Sequence, residues 1–216
     1  DVEGLPLVNA PFVLEGGAIH ADGQGTLLTT EECLLHPTRN PGLTRADIER
    51  LLCAYTGARQ VIWLGPGVVG DSDTNGHVDN LACFVRPGVV ALAWEPDPAD
   101  PQHAVSRDAL ERLQAARDAQ GRAIEVRKIP MPQPVMVTAD DLADPEPIAR
   151  EVGQRLAASY VNFYIANGGV VVPTFDDPAD DVALRLLQDA FPERRVIGAP
   201  SREILLGGGN IHCITQ

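Results

Sequence analysis

The sequence predicts an α/β fold assembled from repeated strand-strand-helix-strand units, and three observations carry that expectation. Runs rich in β-branched and apolar residues come in pairs around short turns bearing Gly, Pro or Asn. A segment with apolar residues at helical spacing follows each pair, and one more short apolar run follows each helix. The order then returns, so the repeat lies in the elements while residue identity between units is weak.

In the first unit, Phe12 to Leu35 holds two β-rich runs around Ala21-Asp22-Gly23-Gln24-Gly25, a hairpin signal. Thr44 suits a helix N-cap, Asp47 sits three residues on, and Ile48, Leu51, Leu52 and Tyr55 recur at helical spacing up to Gly57. Arg59 to Leu64 closes the unit. In the second unit, His77 to Phe84 and Val89 to Trp94 flank Arg86-Pro87-Gly88, a helix runs from about Ser106 to Gln120, and Ile124 to Ile129 closes it. In the third, Tyr160 to Ala166 and Val170 to Phe175 flank Asn167-Gly168-Gly169, followed by a helix from about Pro178 to Ala190 and a strand at Arg195 to Ala199. A fourth unit is expected to begin with a strand at His212 to Thr215. Leu110, Leu113, Leu184 and Leu187 read as core stripes of the helices.

With 216 residues, 44% of them hydrophobic, the chain can bury a sizeable core and reads as one globular domain. No apolar run approaches the roughly eighteen residues that cross a bilayer, and Asp1-Val2-Glu3-Gly4 lacks a basic leader, so a cytoplasmic setting is expected. Cys33, Cys53, Cys83 and Cys213 lie far apart with no CxxC spacing, which suggests neither a zinc site nor a disulfide framework. The net charge of −13 disfavours nucleic acid and anionic membranes as partners and favours a small cation in any cleft. Asp-rich stretches at residues 95–101, 140–146 and 176–181 read as solvated loops. A homo-oligomer is compatible with the sequence.

Three stretches carry chemistry. Leu14-Glu15-Gly16-Gly17 sets a carboxylate before two small residues; a glutamate after the apolar Pro11-Phe12-Val13 either faces solvent or meets a cation. In Gly76-His77-Val78-Asp79-Asn80, an extended backbone would point His77 and Asp79 to one face, sharing a pocket wall. In Gly207-Gly208-Gly209-Asn210-Ile211-His212-Cys213, a glycine loop that can approach a ligand closely delivers a cysteine. Register places Glu15, His77 and Cys213 in or at the start of the first strand of their units, with Asn162 in the intervening one. Units around a pseudo-rotation axis would bring these positions together as nucleophile, acid/base and orienting carboxylates.

Two look-alikes are set aside. Gly65-Pro66-Gly67-Val68-Val69-Gly70 matches GxGxxG, but Asp71 to Gly76 cannot be the helix that would hold a pyrophosphate. Asp71, Asp73, Asn75, Gly76 and Asp79 echo a calcium loop, but Ala82 stands where the bidentate glutamate belongs. His20, His36, His103 and His212 show no ligand-like spacing and read as ordinary.

Taken together, the three stretches resemble the agmatine deiminases of the guanidine-modifying pentein superfamily, and the similarity covers nearly the whole chain, including Asn162 to Gly168. The resemblance implies a pentein α/β propeller of five units around a central active site. It implies hydrolysis of agmatine to N-carbamoylputrescine and ammonia with no metal or organic cofactor. By position, Cys213 would be the nucleophile, His77 the general acid/base, and Asp79 and Glu15 the carboxylates holding the guanidinium, with Gly208 and Asn210 among the substrate-binding positions. The family carries a further tryptophan- and aspartate-bearing segment upstream of the glutamate motif and continues past the cysteine. Residues 1–216 are therefore expected to be a single catalytic domain lacking its N-terminal part and extreme C-terminus. Open alternatives are an arginine-type deiminase or dimethylarginine hydrolase, either of which would need an arginine such as Arg39, Arg86 or Arg202 at the pocket. A non-catalytic binding module, or a metal site built from His77, Asp79 and Cys213, also stays open.

Overall fold

The computed structural model describes Gly4, residues 9–142 and residues 149–215; residues 143–146 of the expected 140–146 loop lie outside them. After a 3₁₀ turn at Gly16–Ala18 the order is β1 (Ile19–Ala21), β2 (Thr26–Thr30), α1 (Glu31–Leu34), α2 (Arg45–Thr56) and β3 (Gln60–Leu64). Next come α3 (Val78–Leu81), β4 (Ala82–Arg86), β5 (Val89–Trp94), α4 (Gln102–Ala115) and β6 (Glu125–Pro130). The third group is β7 (Tyr164–Ile165), β8 (Gly169–Thr174), α5 (Asp180–Ala190) and β9 (Arg195–Pro200), followed by α6 (Arg202–Leu206). These form three separate three-stranded sheets ordered β1-β2-β3, β4-β5-β6 and β7-β8-β9. In each, the first pair is antiparallel and the second parallel. Among the described residues the expected unit therefore occurs three times.

Local chemistry explains the helix that sequence placed best. Thr44 and Asp47 form a reciprocal capping box on α2, and Gly57 ends it with φ 76°, a left-handed conformation that glycine adopts without steric cost. The central strands carry apolar residues on both faces because both faces are covered. All of β2 and the first five residues of β5 are buried, as expected for a strand flanked by helices and a neighbouring sheet. Leu28, Ile62 and Leu64 of the first sheet pack with Val90, Leu92 and Leu113 of the second unit. Cys83, Val85 and Ala91 of the second pack with Val170, Val172 and Leu187 of the third. Two apolar cores thus lie between successive units, α4 and α5 each filling the gap to the preceding sheet, while α2 packs in a core within the first unit.

Four sequence expectations are corrected. His77 to Phe84 is not one strand: His77 caps the one-turn helix α3 and β4 starts at Ala82. Apolar Val78, Leu81 and Ala82 fit helix and strand spacing equally, and the deciding contacts come from Asp71, which accepts from the His77 backbone N–H at 3.1 Å and from Asn80 Nδ2 at 3.3 Å. The helix expected from Ser106 to Gln120 lies earlier, at Gln102–Ala115, because Asp100 caps the Gln102 N–H at 2.8 Å and Asp118 turns the chain at Gln120 and Arg122. Of Tyr160 to Ala166 only Tyr164–Ile165 pairs as a strand; Tyr160, Val161 and Phe163 are buried core without a ladder, and the Tyr160 hydroxyl donates to Asp180 at 2.6 Å. His212 to Thr215 is a turn: Ile214 N–H bonds to Asn210 O and Thr215 N–H to His212 O. Among the described residues no helix is long and apolar enough to cross a membrane.

Candidate active site

A cavity of about 560 Å³ opens where the turns ahead of the first strands converge, lined by Glu15, Gly16, Gly17, Thr74, His77, His212, Cys213 and Thr215. Glu15 sits at the N-cap of the 3₁₀ turn, His77 at that of α3, and Cys213 in the turn after Asn210. All three stand before or outside strands, so the three segments meet as their register in the sequence predicts, but at caps and a turn instead of in strands.

Asp79 is the hub. It is fully buried, its Oδ2 lies 2.8 Å from His212 Nδ1 and 3.4 Å from Cys213 Sγ, and its Oδ1 has no hydrogen-bond partner among the described residues. An unpaired buried carboxylate oxygen is costly and calls for a donor. Gly17 allows this crowding: a Cβ there would stand 2.5 Å from His77 Nδ1 and 2.6 Å from Asp79 Oδ2. At Gly209 a Cβ would come within 2.8 Å of Cys213 Cβ, so the glycine loop serves the close approach of its own backbone to the cysteine.

Cys213 is held from a second side by Asn162, whose Nδ2 is 3.3 Å from the sulfur and 2.9 Å from Asn80 Oδ1. The Asn162 side-chain and backbone oxygens both accept the His212 N–H, at 2.9 and 3.2 Å. Although the residue is exposed at the cavity mouth, its sulfur packs against Asp79 and Asn162. Desolvation first, then the Asp79 charge, pushes its thiol up to about 12, against hydrogen bonds from Asn210 and Asn162 that pull it down. At neutral pH the sulfur is therefore protonated. Burial is also the main reason His77 is held below its usual value, outweighing Asp79, Asp71 and Glu15, while Arg39 adds to the lowering. Its Nε2 has no hydrogen-bond partner among the described residues, with Glu15 Oε2 at 3.9 Å.

Glu15 meets a cation of the protein itself. Arg39 Nε donates to both carboxylate oxygens at 2.8 and 3.0 Å, while its other nitrogens donate to Asn75 Oδ1 and Thr74 O. The arginine thus spends its donors on the wall of the cavity. Arg86 instead donates to Ala190 O and Arg202 pairs with Asp141. Gly208 and Asn210 are not brought to this cavity: Gly208 lines a separate recess with Asp71 and Asn80, and Asn210 is buried with its Oδ1 accepting from Ile211 N–H. The calcium-like stretch owes its carboxylate to folding, since Asp71 accepts from Thr74 and from His77.

Sequence reasoning missed His212, whose partner Asp79 is 133 positions away; no local spacing signals such a pair. It also missed His20, half-buried in β1, which accepts from the Phe84 N–H through Nδ1 at 3.1 Å and faces His212 ring to ring at 5.8 Å. Burial and His212 hold His20 down to about 4, against an opposing pull from Asp79, so it stays neutral.

Residues 1–216 match the family described as Porphyromonas-type peptidyl-arginine deiminase. The chain is 53% identical over 209 residues to an agmatine deiminase of Pseudomonas syringae pv. tomato, covering 95% of this chain and 56% of the relative. It is 53% identical over 222 residues to an agmatine deiminase of Medicago truncatula, covering 100% and 59%. The solved agmatine deiminase of Enterococcus faecalis superimposes with a TM-score of 0.90 at 45% identity, over 95% of this chain and 57% of that one. The chain thus spans less than three-fifths of the length of these relatives.

Proposed function

The chain belongs to the Porphyromonas-type peptidyl-arginine deiminase family, and from that premise we propose that the whole protein is an agmatine deiminase, hydrolysing the guanidinium of agmatine to N-carbamoylputrescine and ammonia. The observation that carries this reading is Asp79: a fully buried carboxylate with one oxygen unpartnered and the other 3.4 Å from a cysteine sulfur, beside a buried imidazole. A planar guanidinium would satisfy the free oxygen while presenting its carbon to the sulfur.

The chemistry follows from the protonation states. The approaching cation offsets the Asp79 charge that, after desolvation, keeps Cys213 protonated, so the thiol can ionise when substrate is bound. Neutral His77 takes the thiol proton as the sulfur attacks the guanidinium carbon. It then returns that proton to the departing nitrogen, and ammonia leaves a thiouronium on Cys213. In the second half His77 removes a proton from water attacking the same carbon; the C–S bond breaks, the remaining hydroxyl proton passes to the leaving sulfur to give the ureido product and the Cys213 thiol, and His77 returns its proton to solvent. Glu15, fixed by Arg39, supplies negative charge at the cavity wall. Agmatine is favoured over arginine because no lysine or arginine lines the cavity among the described residues, and each candidate arginine already donates elsewhere. The four free cysteines fit a reducing cytoplasm, and the proposed product, N-carbamoylputrescine, would place the reaction in putrescine synthesis.

The test is ammonia release by the full-length protein given agmatine or arginine at equal concentration. Agmatine should be the better substrate by kcat/KM; preference for arginine, or no release from either, would overturn the assignment.

A further inference from the structure

We propose that Glu15, Cys33 and His77 form a binding site for a thiophilic divalent cation of the zinc class, whose occupancy withdraws His77 from catalysis. The three residues come from separate segments: the 3₁₀ turn, α1 and the cap of α3. One ligand atom from each lies within 4.8 Å of the others. A sulfur, an imidazole nitrogen and a carboxylate oxygen together are a donor set that suits zinc, and three protein ligands leave a fourth position open.

A second observation points to a ligand. His77 is only 7% exposed, and its Nε2, the atom turned toward Glu15, has no hydrogen-bond partner among the described residues. The surrounding charge also suits a dication. Cys33 feels the carboxylates of Glu15, Asp71 and Glu32 against one guanidinium, that of Arg39. Arg39 does not exhaust Glu15, because each carboxylate oxygen keeps a further lone pair. Glu15 and His77 both line the cavity and give the ion a way in, while Cys33 lies behind them, fully buried. Cys33 has no part in the hydrolysis proposed above.

Binding forms a metal–sulfur bond and releases the Cys33 thiol proton to solvent, so affinity rises with pH. The thiolate then offsets one charge of the ion, and Glu15, shared with Arg39, offsets part of the other together with the nearby carboxylates of Asp71 and Glu32. The inhibitory consequence rests on the reading of His77 as general acid and base; the site itself does not.

The experiment titrates the metal-free full-length protein with Cd²⁺, following the ultraviolet sulfur-to-metal charge-transfer band, and repeats the titration with Cys33→Ala, Cys33→Ser and Cys213→Ala. A Zn²⁺ titration of agmatine hydrolysis accompanies it in the two Cys33 variants and the parent, each expressed against its own metal-free rate. The expected result is one Cd²⁺ per chain with a band retained in Cys213→Ala, loss of that band in both Cys33 variants, and at least about tenfold weaker inhibition by Zn²⁺ in them. A band that survives in the Cys33 variants and vanishes in Cys213→Ala would place the metal on the nucleophile and overturn the proposal, as would no band in the parent protein. Because the band is read without substrate, its presence or absence stands whatever the protein hydrolyses. If Cys33→Ala does not fold, the nearly isosteric Cys33→Ser tests the same loss of the band.

Discussion

Cys33 and Cys213 have thiols pushed up to about 12, burial being the largest cause for both, yet the two segments that carry them are built for opposite ends. Cys33 lies inside α1, whose N-cap Thr30 accepts the Cys33 N–H and donates its hydroxyl to Gly76 O at 2.6 Å. That segment locks the end of β2 to the loop bearing His77, and its sulfur is inaccessible. Cys213 lies in an irregular turn at a cavity mouth, its sulfur within reach of Asp79 and Asn162. A raised thiol is therefore no sign of inertness by itself. What distinguishes the two is the charge that acts beside desolvation: at Cys213 it is chiefly the carboxylate of Asp79, which raises the thiol and which an incoming cation can neutralise, while at Cys33 Arg39 already pulls the thiol down against the carboxylates of Glu15, Asp71 and Glu32.

The comparison is tested most severely at His77, which serves only the Cys213 side in the proposed hydrolysis. His77→Ala should lower kcat with agmatine by about 10²- to 10⁴-fold, the usual worth of a positioned acid/base group. The far-ultraviolet circular dichroism should stay unchanged; loss of fold would instead make His77 a structural residue. A smaller effect is expected at His212. Its bond to Asp79 fixes which carboxylate oxygen stays free, and a hydrogen bond to a charged group is worth about 1.5–3 kcal/mol. His212→Ala should therefore lower kcat/KM by about ten- to a hundredfold, mostly through KM. His212→Asn, which keeps a donor near the Nδ1 position, should recover much of it. Equal losses in both variants would show that packing against His20, not the hydrogen bond, is what matters.

The same contrast governs how much could be read in the sequence. Strands such as β5 and β8 and helices such as α2 were legible because local spacing and capping residues dictate them: Thr44 and Asp47 need no distant partner. The site stretches were legible as motifs, through Glu15-Gly16-Gly17, His77 and Cys213, but not as conformations. His77 lines the cavity and Asp79 lies buried beside it, both against Gly17, because Asp71 winds them into a turn from six and more residues upstream, not because a strand points them to one face. His212 was invisible, since Asp79 lies 133 positions away. Asn210 looked like a ligand contact and is instead buried in the turn that presents the cysteine. Residues whose partners are near in sequence are written in the sequence; those held by another unit become visible only once the units are assembled.

The smallest effect reads the two thiols directly. Cys213, its thiol pushed up to about 12, is protonated through neutral pH, so alkylation by iodoacetamide should be slow near pH 7 and accelerate as pH rises toward that value. Replacing Asp79 by Asn removes the second cause of that rise while leaving desolvation, the first, in place. A carboxylate disfavours a neighbouring thiolate, so its removal lowers the thiol pKa and raises the thiolate fraction at fixed pH. A fall of one unit would give about tenfold faster alkylation of Cys213 at pH 8, because each unit is a tenfold change in that fraction. Cys33, buried and 0% exposed, should remain unlabelled in both proteins until they are unfolded, as peptide mapping would show. An unchanged Cys213 rate in Asp79→Asn would mean that desolvation alone holds the proton on the sulfur, and that a bound cation would then have to act by expelling water rather than by neutralising Asp79.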